Sequence, residues 1–430
     1  MTNNLQLTDE YKAAIELAFA HRNMWIDGHA GCGKSIFSSV FLREMLKNFQ
    51  ISHVYLAPTG IAAVHVRGMS IHSFFGFGVA PLINEELLER RYRNLNPQLK
   101  NRIKAVQTIV IDEVSMVRCD LLDAVDAMCR FAAAKDNKQL PFGGKQIILI
   151  GDLGQLEPIV ADDDIDILKE RYGPGDYFFH RSRAFGAGNF EHMSFTHNFR
   201  QSDDCEFFEI LNAIRAREIN AHQLEKLNER FCATRIDRGI FLVGNNRTAD
   251  KINGEELAKL AGKEYAYAGE REGDKVESLS PDQLMLKLGT RVMFTCNNGN
   301  VWQNGTMGIV TACGVDCVKV SLDGPIHREV DVQQNQWQKI SYVTDPSGKI
   351  EEKIVGKFRQ IPLKLAWAIT AHKSQGQTFD SLVIQNPNAF FGNAAKMLYT
   401  ALSRSRTLDG IFLEKKLSRW SLERYGIRVI

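Results

Sequence analysis

Gly28-His29-Ala30-Gly31-Cys32-Gly33-Lys34-Ser35 is a glycine-rich run closed by an ammonium and a hydroxyl. Glycines at this spacing let backbone N–H groups converge on an oxyanion. Lys34 can reach the outer phosphates of a nucleoside triphosphate, and the Ser35 hydroxyl is a hard ligand suited to Mg²⁺. Further along stands the pair Asp112-Glu113, then Gly151-Asp152-Leu153-Gly154-Gln155-Leu156-Glu157-Pro158. Asp112 can hold the metal through water, Glu113 can act as general base or water positioner, and the neutral Gln155 amide can sense a terminal phosphate. Phosphoryl transfer also needs positive charge from outside the loop. Arg200, in His197-Asn198-Phe199-Arg200-Gln201, and Arg404, in Tyr399 to Arg406, are the candidates.

Such residues need strand ends to present them. Met24-Trp25-Ile26-Asp27, His53 to Leu56, Thr108 to Ile111 and Gln146 to Ile150 are short apolar runs bounded by polar residues or Gly, as buried parallel strands are. Helical patterns over Lys34 to Phe49 and Asp120 to Ala134 separate them, so an α/β core with ligands at the carboxyl ends of its strands is expected. A second α/β pattern begins near Phe195, with strands at Gly239 to Val243, Ser381 to Ile384 and Gly410 to Leu413. From roughly Glu270 to Phe358 helical periodicity fades, and Gly305 to Val310, Asp316 to Leu322 and Glu329 to Val332 read as strands of a small inserted barrel.

Composition narrows the class without naming it. Lys and Arg total 53 against 51 Asp and Glu over 430 residues, so net charge gives no argument for a polyanion partner. The eight cysteines show no disulfide framework, and Cys313 to Cys317 is one close pair without the second pair or His that zinc would need, so no zinc is expected. The polar Met1 to Gln6 and the lack of a long apolar run predict a soluble intracellular protein without a membrane span, in the cytoplasm or nucleoid of a bacterial host. Asp162-Asp163-Asp164 with Asp166 reads as a solvated acidic loop, and the apolar positions from Leu121 to Phe131 read as packing.

The motifs together resemble superfamily 1 helicases of the RecD-like group, most closely the Pif family (petite integration frequency). The stretches that carry the resemblance are the phosphate loop, Ala57-Pro58-Thr59-Gly60-Ile61-Ala62-Ala63, Ile71-His72-Ser73-Phe74-Phe75, Ile111 to Val117, Pro141-Phe142-Gly143-Gly144, Gly151 to Pro158, Asn198-Phe199-Arg200, Ala371-His372-Lys373-Ser374-Gln375-Gly376-Gln377-Thr378 and Tyr399 to Arg406. Val117 to Ala134 followed by Pro-Phe-Gly-Gly is similar to the family's signature segment. The resemblance implies two RecA-like P-loop NTPase cores, 1–64 with 105–190 and 191–269 with 359–430. It adds a wedge insertion at 65–104 and an SH3-like β-barrel insertion at 270–358. It implies ATP-site roles for Gly28, Ala30, Gly31, Cys32, Gly33, Lys34, Ser35, Asp112, Glu113, Gln155, Arg200, Gly376 and Arg404, with ATP between the cores and Mg²⁺ on Ser35 and Asp112. Leu7 to Tyr11 is similar to the family's adenine-reading segment, which places Tyr11 among the nucleotide-binding residues, but Tyr11 stands where a Gln is usual, so whether it selects adenine or admits other nucleotides stays open.

A motor on single strands needs phosphate donors and apolar faces for bases. Pro58, Thr59 and Gly60 open a predicted helix, and His72, Phe74, Phe75 and Phe77 cluster nearby as stacking or core residues. Asn245, Asn246, His372 and Lys373 resemble strand-gripping positions, and Arg291 with Asn297, Asn298 and Asn304 is placed along the same groove. The expectation is an ATP- and Mg²⁺-dependent helicase, monomeric in solution, moving 5′-to-3′ on single-stranded DNA and opening forked duplex around Phe77. By resemblance, G-quadruplexes and RNA–DNA hybrids are further substrates, with roles in replication, repair, recombination and telomere maintenance. A DNA-stimulated ATPase that separates no strands and an ATP-gated nucleic-acid clamp stay open as alternatives. The helix after Val117 and the Pro141 to Gly144 turn are expected to brace the ATP cleft against the DNA groove.

Overall fold

The computed structural model describes the chain except 1–7, 78–81, 200–203, 233–238, 277, 279, 297, 299–300, 303, 305, 324–327, 345–349, 372, 376, 386–393 and 425, and except the side chains of 61, 64–65 and 340–352. Two compact units emerge. One comprises Met1–Leu153, Glu157–Phe199 and Lys339–Val355; the other comprises Gly154–Leu156, Arg200–Gln338 and Gly356–Ile430.

The first unit is organised by a parallel sheet of β1 (Met24–Gly28), β2 (His53–Ala57), β3 (Met69–Ser70), β4 (Thr108–Ile111), β5 (Gln146–Gly151) and β6 (Glu191–Phe195), in the order β3-β2-β4-β5-β1-β6. Every residue of β4 and β5 is buried, which is why these strands are continuous apolar runs in sequence. Alternate residues serve opposite faces. Val54, Leu56, Ile109, Ile111, Ile147 and Leu149 enter one core, while Tyr55, Val110, Ile148 and Ile150 enter the other. The polar β6 and two-residue β3 close the edges, and their weak apolar signal explains why sequence did not show them. Because Glu191–Phe195 pairs in parallel with Met24–Gly28, the first unit continues to Phe199, so the boundary expected at 190/191 is corrected. The 65–104 segment likewise supplies β3, and its Phe74, Phe75, Leu88 and Ile103 join the core that holds β4 and β5.

The helix expected over Lys34 to Phe49 is interrupted: a π-helical stretch at Phe37–Leu42 separates Lys34–Ile36 from Arg43–Asn48. Such widened turns concentrate at functional sites. Asp162–Asp164 are not loop residues. They form the acidic first turn of helix Asp162–Tyr172, where carboxylates favour the helix N-terminus, and Asp164 pairs with Arg118 at 2.8 Å.

The second unit contains a parallel sheet ordered Ala368–Thr370, Ile240–Val243, Leu382–Ile384, Ile411–Leu413. Between the neighbouring strands Ile240–Val243 and Ala368–Thr370 the chain makes antiparallel sheets. One runs in the order Glu329–Gln333, Cys317–Leu322, Met307–Cys313, Arg291–Phe294, Leu363–Leu365. Val292, Phe294, Trp302, Val318, Val320, Val332 and Leu363 fill its own apolar core. Among the described residues no helix is long and apolar enough to cross a membrane.

Candidate nucleotide and nucleic-acid site

Gly28 ends β1 where a Cβ would stand 2.7 Å from the Phe195 carbonyl oxygen, so the strand pair tolerates no side chain there. The loop that follows turns through Gly31 and Gly33, at φ 93° and 74°, the left-handed region that glycine adopts without strain. Ala30 and Cys32 are buried under the loop, and burial pushes the Cys32 thiol up to about 11, so it is a packing residue and not a nucleophile. The Lys34 ammonium donates to the carbonyl oxygens of Gly28 (2.7 Å) and His29 (2.9 Å), folding back over the loop that it closes. Ser35 is exposed at the helix start.

Asp112 leaves the end of β4 buried at 6% exposure, and its carboxylate accepts the Glu113 N–H at 2.8 Å. Burial, then the neighbouring Glu113 charge, raises its pKa to about 7. Glu113 occupies φ 52°, ψ 42°, a left-handed conformation unfavourable for Glu, as residues held for a task often are. A Cβ on Gly151 would lie 2.9 Å from the Val114 side chain and 3.0 Å from its backbone N. The end of β5 is thus seated on the turn that carries Glu113. Asp152 and Gln155 follow, at 1% and 6% exposure. Ser35 and Asp112 form an all-oxygen donor set, and a buried carboxyl whose ionisation is costly is the kind of group a divalent cation stabilises, so these residues fit Mg²⁺.

Behind that turn lies helix Cys119–Ala132, with Leu122, Val125, Met128 and Cys129 in the core. Its Asp126 accepts the Phe142 N–H, fixing the turn Pro141–Gly144, where Phe142 and Gly143 both have positive φ. A Cβ on Gly143 would meet the Cys129 carbonyl oxygen at 2.6 Å. At the helix start the fully buried Asp120 accepts the Leu82 N–H (3.0 Å) and two Arg118 N–H groups (2.9 and 2.8 Å), tying the 82 segment to the helix. Arg118 was not singled out by sequence; an isolated arginine carries no signal until the fold assembles its carboxylates.

The expected nucleic-acid residues divide. Pro58 is half-buried and Thr59 exposed, with the Thr59 hydroxyl accepting the Ala62 N–H at 3.2 Å to start helix Gly60–His65. His72 is half-buried, and burial followed by the Arg118 charge lowers its pKa, leaving a neutral imidazole at pH 7. Phe74 at 0% and Phe77 at 9% exposure are core residues, with the Arg102 guanidinium over the Phe74 ring. They present no open face to bases, which corrects the stacking role expected of them; the apolar demand beneath β4 took both rings. Asn298 forms a bridge with Trp302, and buried Arg291 pairs with Asp323.

In the second unit Asn245 and Asn246 are exposed after strand Ile240–Val243, and Lys373 is exposed after the adjacent Ala368–Thr370, with Thr370 registered against Val243. The three therefore leave the carboxyl ends of neighbouring parallel strands. Asn245 also caps helix Asn246–Lys259. Lys364, which sequence did not reveal, lies near Lys373; burial, then that like charge, lowers its pKa to about 7. Arg404 is 2% exposed, donating to the carbonyl oxygens of Thr400 (2.9 Å) and Gln377 (3.4 Å) and to the Ser403 hydroxyl (2.9 Å). Arg200, Asn297, His372 and Gly376 lie outside the described residues.

Residues 6–224 match the family described as PIF1-like helicase. The chain belongs to the PIF1-like helicase family. Residues 365–408 match the UvrD-like helicase C-terminal domain. The chain is 32% identical to the ATP-dependent DNA helicase Pif1 of Bdellovibrio bacteriovorus, over 96% of this chain and 88% of that protein. Pif1 of Bacteroides sp. in complex with ADP-AlF4 has a TM-score of 0.86 at 29% identity, covering 98% of this chain and 96% of that one. Bacteroides Pif1 bound to single-stranded DNA scores 0.66 at 30% identity, covering 97% and 94%.

Proposed function

We propose that the protein is an ATP- and Mg²⁺-dependent DNA helicase that moves 5′-to-3′ on single-stranded DNA and separates duplex at forks. The observation that carries this reading is that one parallel sheet presents both the Gly28–Ser35 loop after β1 and, one strand over beyond β5, Asp112 and Glu113 after β4, in a chain of the PIF1-like helicase family. Relatives bearing the name ATP-dependent DNA helicase, and Bacteroides Pif1 with single-stranded DNA and ADP-AlF3, support it.

Loop N–H groups and Lys34 bind the triphosphate, and Glu113 orients water and accepts its proton as the terminal phosphoryl group transfers. Ser35 and Asp112 would hold Mg²⁺, which when bound neutralises charge on the phosphate oxygens. Gln155 senses the terminal phosphate, and Arg200 and Arg404 supply positive charge to the transferring group. Thr59, Gly60, Asn245, Asn246, His372 and Lys373 grip the DNA backbone. The 65–104 segment is the wedge and 270–358 an SH3-like insertion. G-quadruplexes and RNA–DNA hybrids are proposed as further substrates.

The test measures DNA-stimulated ATP hydrolysis beside strand displacement. Lys34→Ala should abolish both, and undiminished turnover in that variant contradicts the reading. Stimulated hydrolysis by the native protein without displacement on any forked duplex favours a remodelling ATPase instead.

A further inference from the structure

Tyr11 lies in the first turn of helix Asp9–Phe19, 2% exposed, with its N–H capped by Thr8 and the neighbouring Glu10 carboxylate accepting the Thr196 N–H at 3.0 Å. Its ring packs against Phe37, Phe41 and Phe195 at centroid distances of 5.2, 5.5 and 4.9 Å. The position is therefore fixed from the helix, the π-helical stretch and β6 at once. Its hydroxyl proton is shared between the carbonyl oxygens of Gly33 (3.1 Å) and, more weakly, Cys32 (3.5 Å).

In a planar trans peptide the carbonyl and the following N–H point in opposite directions. Anchoring the Cys32 and Gly33 carbonyls on Tyr11 therefore turns the Gly33 and Lys34 N–H groups away from it, as a phosphate cradle requires. A Cβ on Gly33 would stand 2.1 Å from the Tyr11 oxygen and 3.0 Å from the Phe199 ring. The Phe199 N–H donates to Gly31 O at 3.0 Å, so the loop is bracketed by Tyr11 and by the segment leading to residue 200. Burial also pushes the Tyr11 hydroxyl up to about 12, keeping it a donor throughout the working pH range.

We propose that Tyr11 is a positioning residue for the triphosphate end of the nucleotide, holding the phosphate loop by the Cys32 and Gly33 carbonyls, and that it takes no part in choosing the base. The proposal rests on the reading of Gly28–Ser35 as the triphosphate site. It places the Tyr11 contribution on every ligand that has the phosphates, including one that has no base.

The test compares the native protein with Tyr11→Phe, which keeps the ring and loses the hydroxyl. KM is measured for ATP and GTP, and the inhibition constant for inorganic tripolyphosphate. All three should rise by a common factor of about three to ten, the loss of one hydrogen bond, while kcat stays within about twofold. A rise for ATP with no change for tripolyphosphate, a shift in the ATP to GTP preference, or no change in any of the three overturns the proposal. Tyr11→Leu also removes ring packing; it should lower the unfolding temperature and weaken tripolyphosphate at least as much. A folded Leu variant with native tripolyphosphate inhibition overturns the proposal as well. If the native protein neither hydrolyses nucleotide nor binds it, the triphosphate-site reading itself falls, a result distinct from a variant that fails these comparisons beside an active native protein.

Discussion

Of the turns in the first unit that hold non-glycine residues at positive φ, those at Glu113 and Phe142 use that conformation differently. Glu113, at φ 52°, is half-buried at the end of a strand, beside the buried carboxyl of Asp112. Phe142, at φ 53°, is 0% exposed, its N–H held by Asp126 and the next residue pressed onto the Cys129 carbonyl. The first turn uses backbone strain to aim a side chain. The second uses it to plug a ring into the core and fix helix Cys119–Ala132. Strain alone therefore does not mark a catalytic residue; what distinguishes the two is whether the side chain ends beside a reactive group or among apolar ones.

The two turns should break separately. Glu113→Gln keeps the side-chain shape and removes the base, so ATP turnover should fall by about 10²-fold or more while the unfolding temperature stays near native. A turnover loss under about fivefold would remove Glu113 from the chemistry. Leu122→Ala, at a fully buried position of helix Cys119–Ala132, should cost about 2–5 kcal/mol in denaturant unfolding, a range that surface substitutions do not reach. Gly143→Ala combines a positive φ with the contact at Cys129 and should cost about 1–3 kcal/mol, with the ATPase of the folded fraction largely kept. If Gly143→Ala instead removed turnover from fully folded protein, the division between the turns would be wrong.

The smallest expected effect lies in the second unit. Lys364 has its folded-state pKa lowered from 10.5 to about 7, so between those values the unfolded chain holds the extra proton and stability rises with pH. Below about pH 7 both states are charged and the cost of burying the ammonium is complete. Lys364→Met should therefore raise the unfolding temperature by about 2–4 °C at pH 6 and by less at pH 9.5. An equal gain at both pH values would mean the charge is not what the site resists.

Legibility followed burial and local rules. The strands Thr108–Ile111 and Gln146–Gly151 were readable because both of their faces are buried and their sequences are apolar throughout. The glycines of the loop were readable because only glycine takes those angles freely. Strand Glu191–Phe195 was not, because an edge strand with exposed His192 and Ser194 carries no apolar run. The phenylalanines misled because a Phe run has the same composition whether it stacks on bases or fills the space under a sheet; only Phe74 at 0% exposure decides. Tyr11 was readable as a departure from the family pattern, but its bond to Gly33 depends on a contact between residues 22 apart in sequence.

The proposed protein is an ATP-driven motor of fixed direction. Its most direct test is strand displacement, with ATP and Mg²⁺, on two otherwise identical duplexes, one carrying only a 5′ single-stranded tail and the other only a 3′ tail. Displacement from the 5′-tailed duplex alone, absent in Lys34→Ala, is the predicted result. Displacement from the 3′-tailed duplex alone, or ATP hydrolysis with no displacement from either, would contradict it.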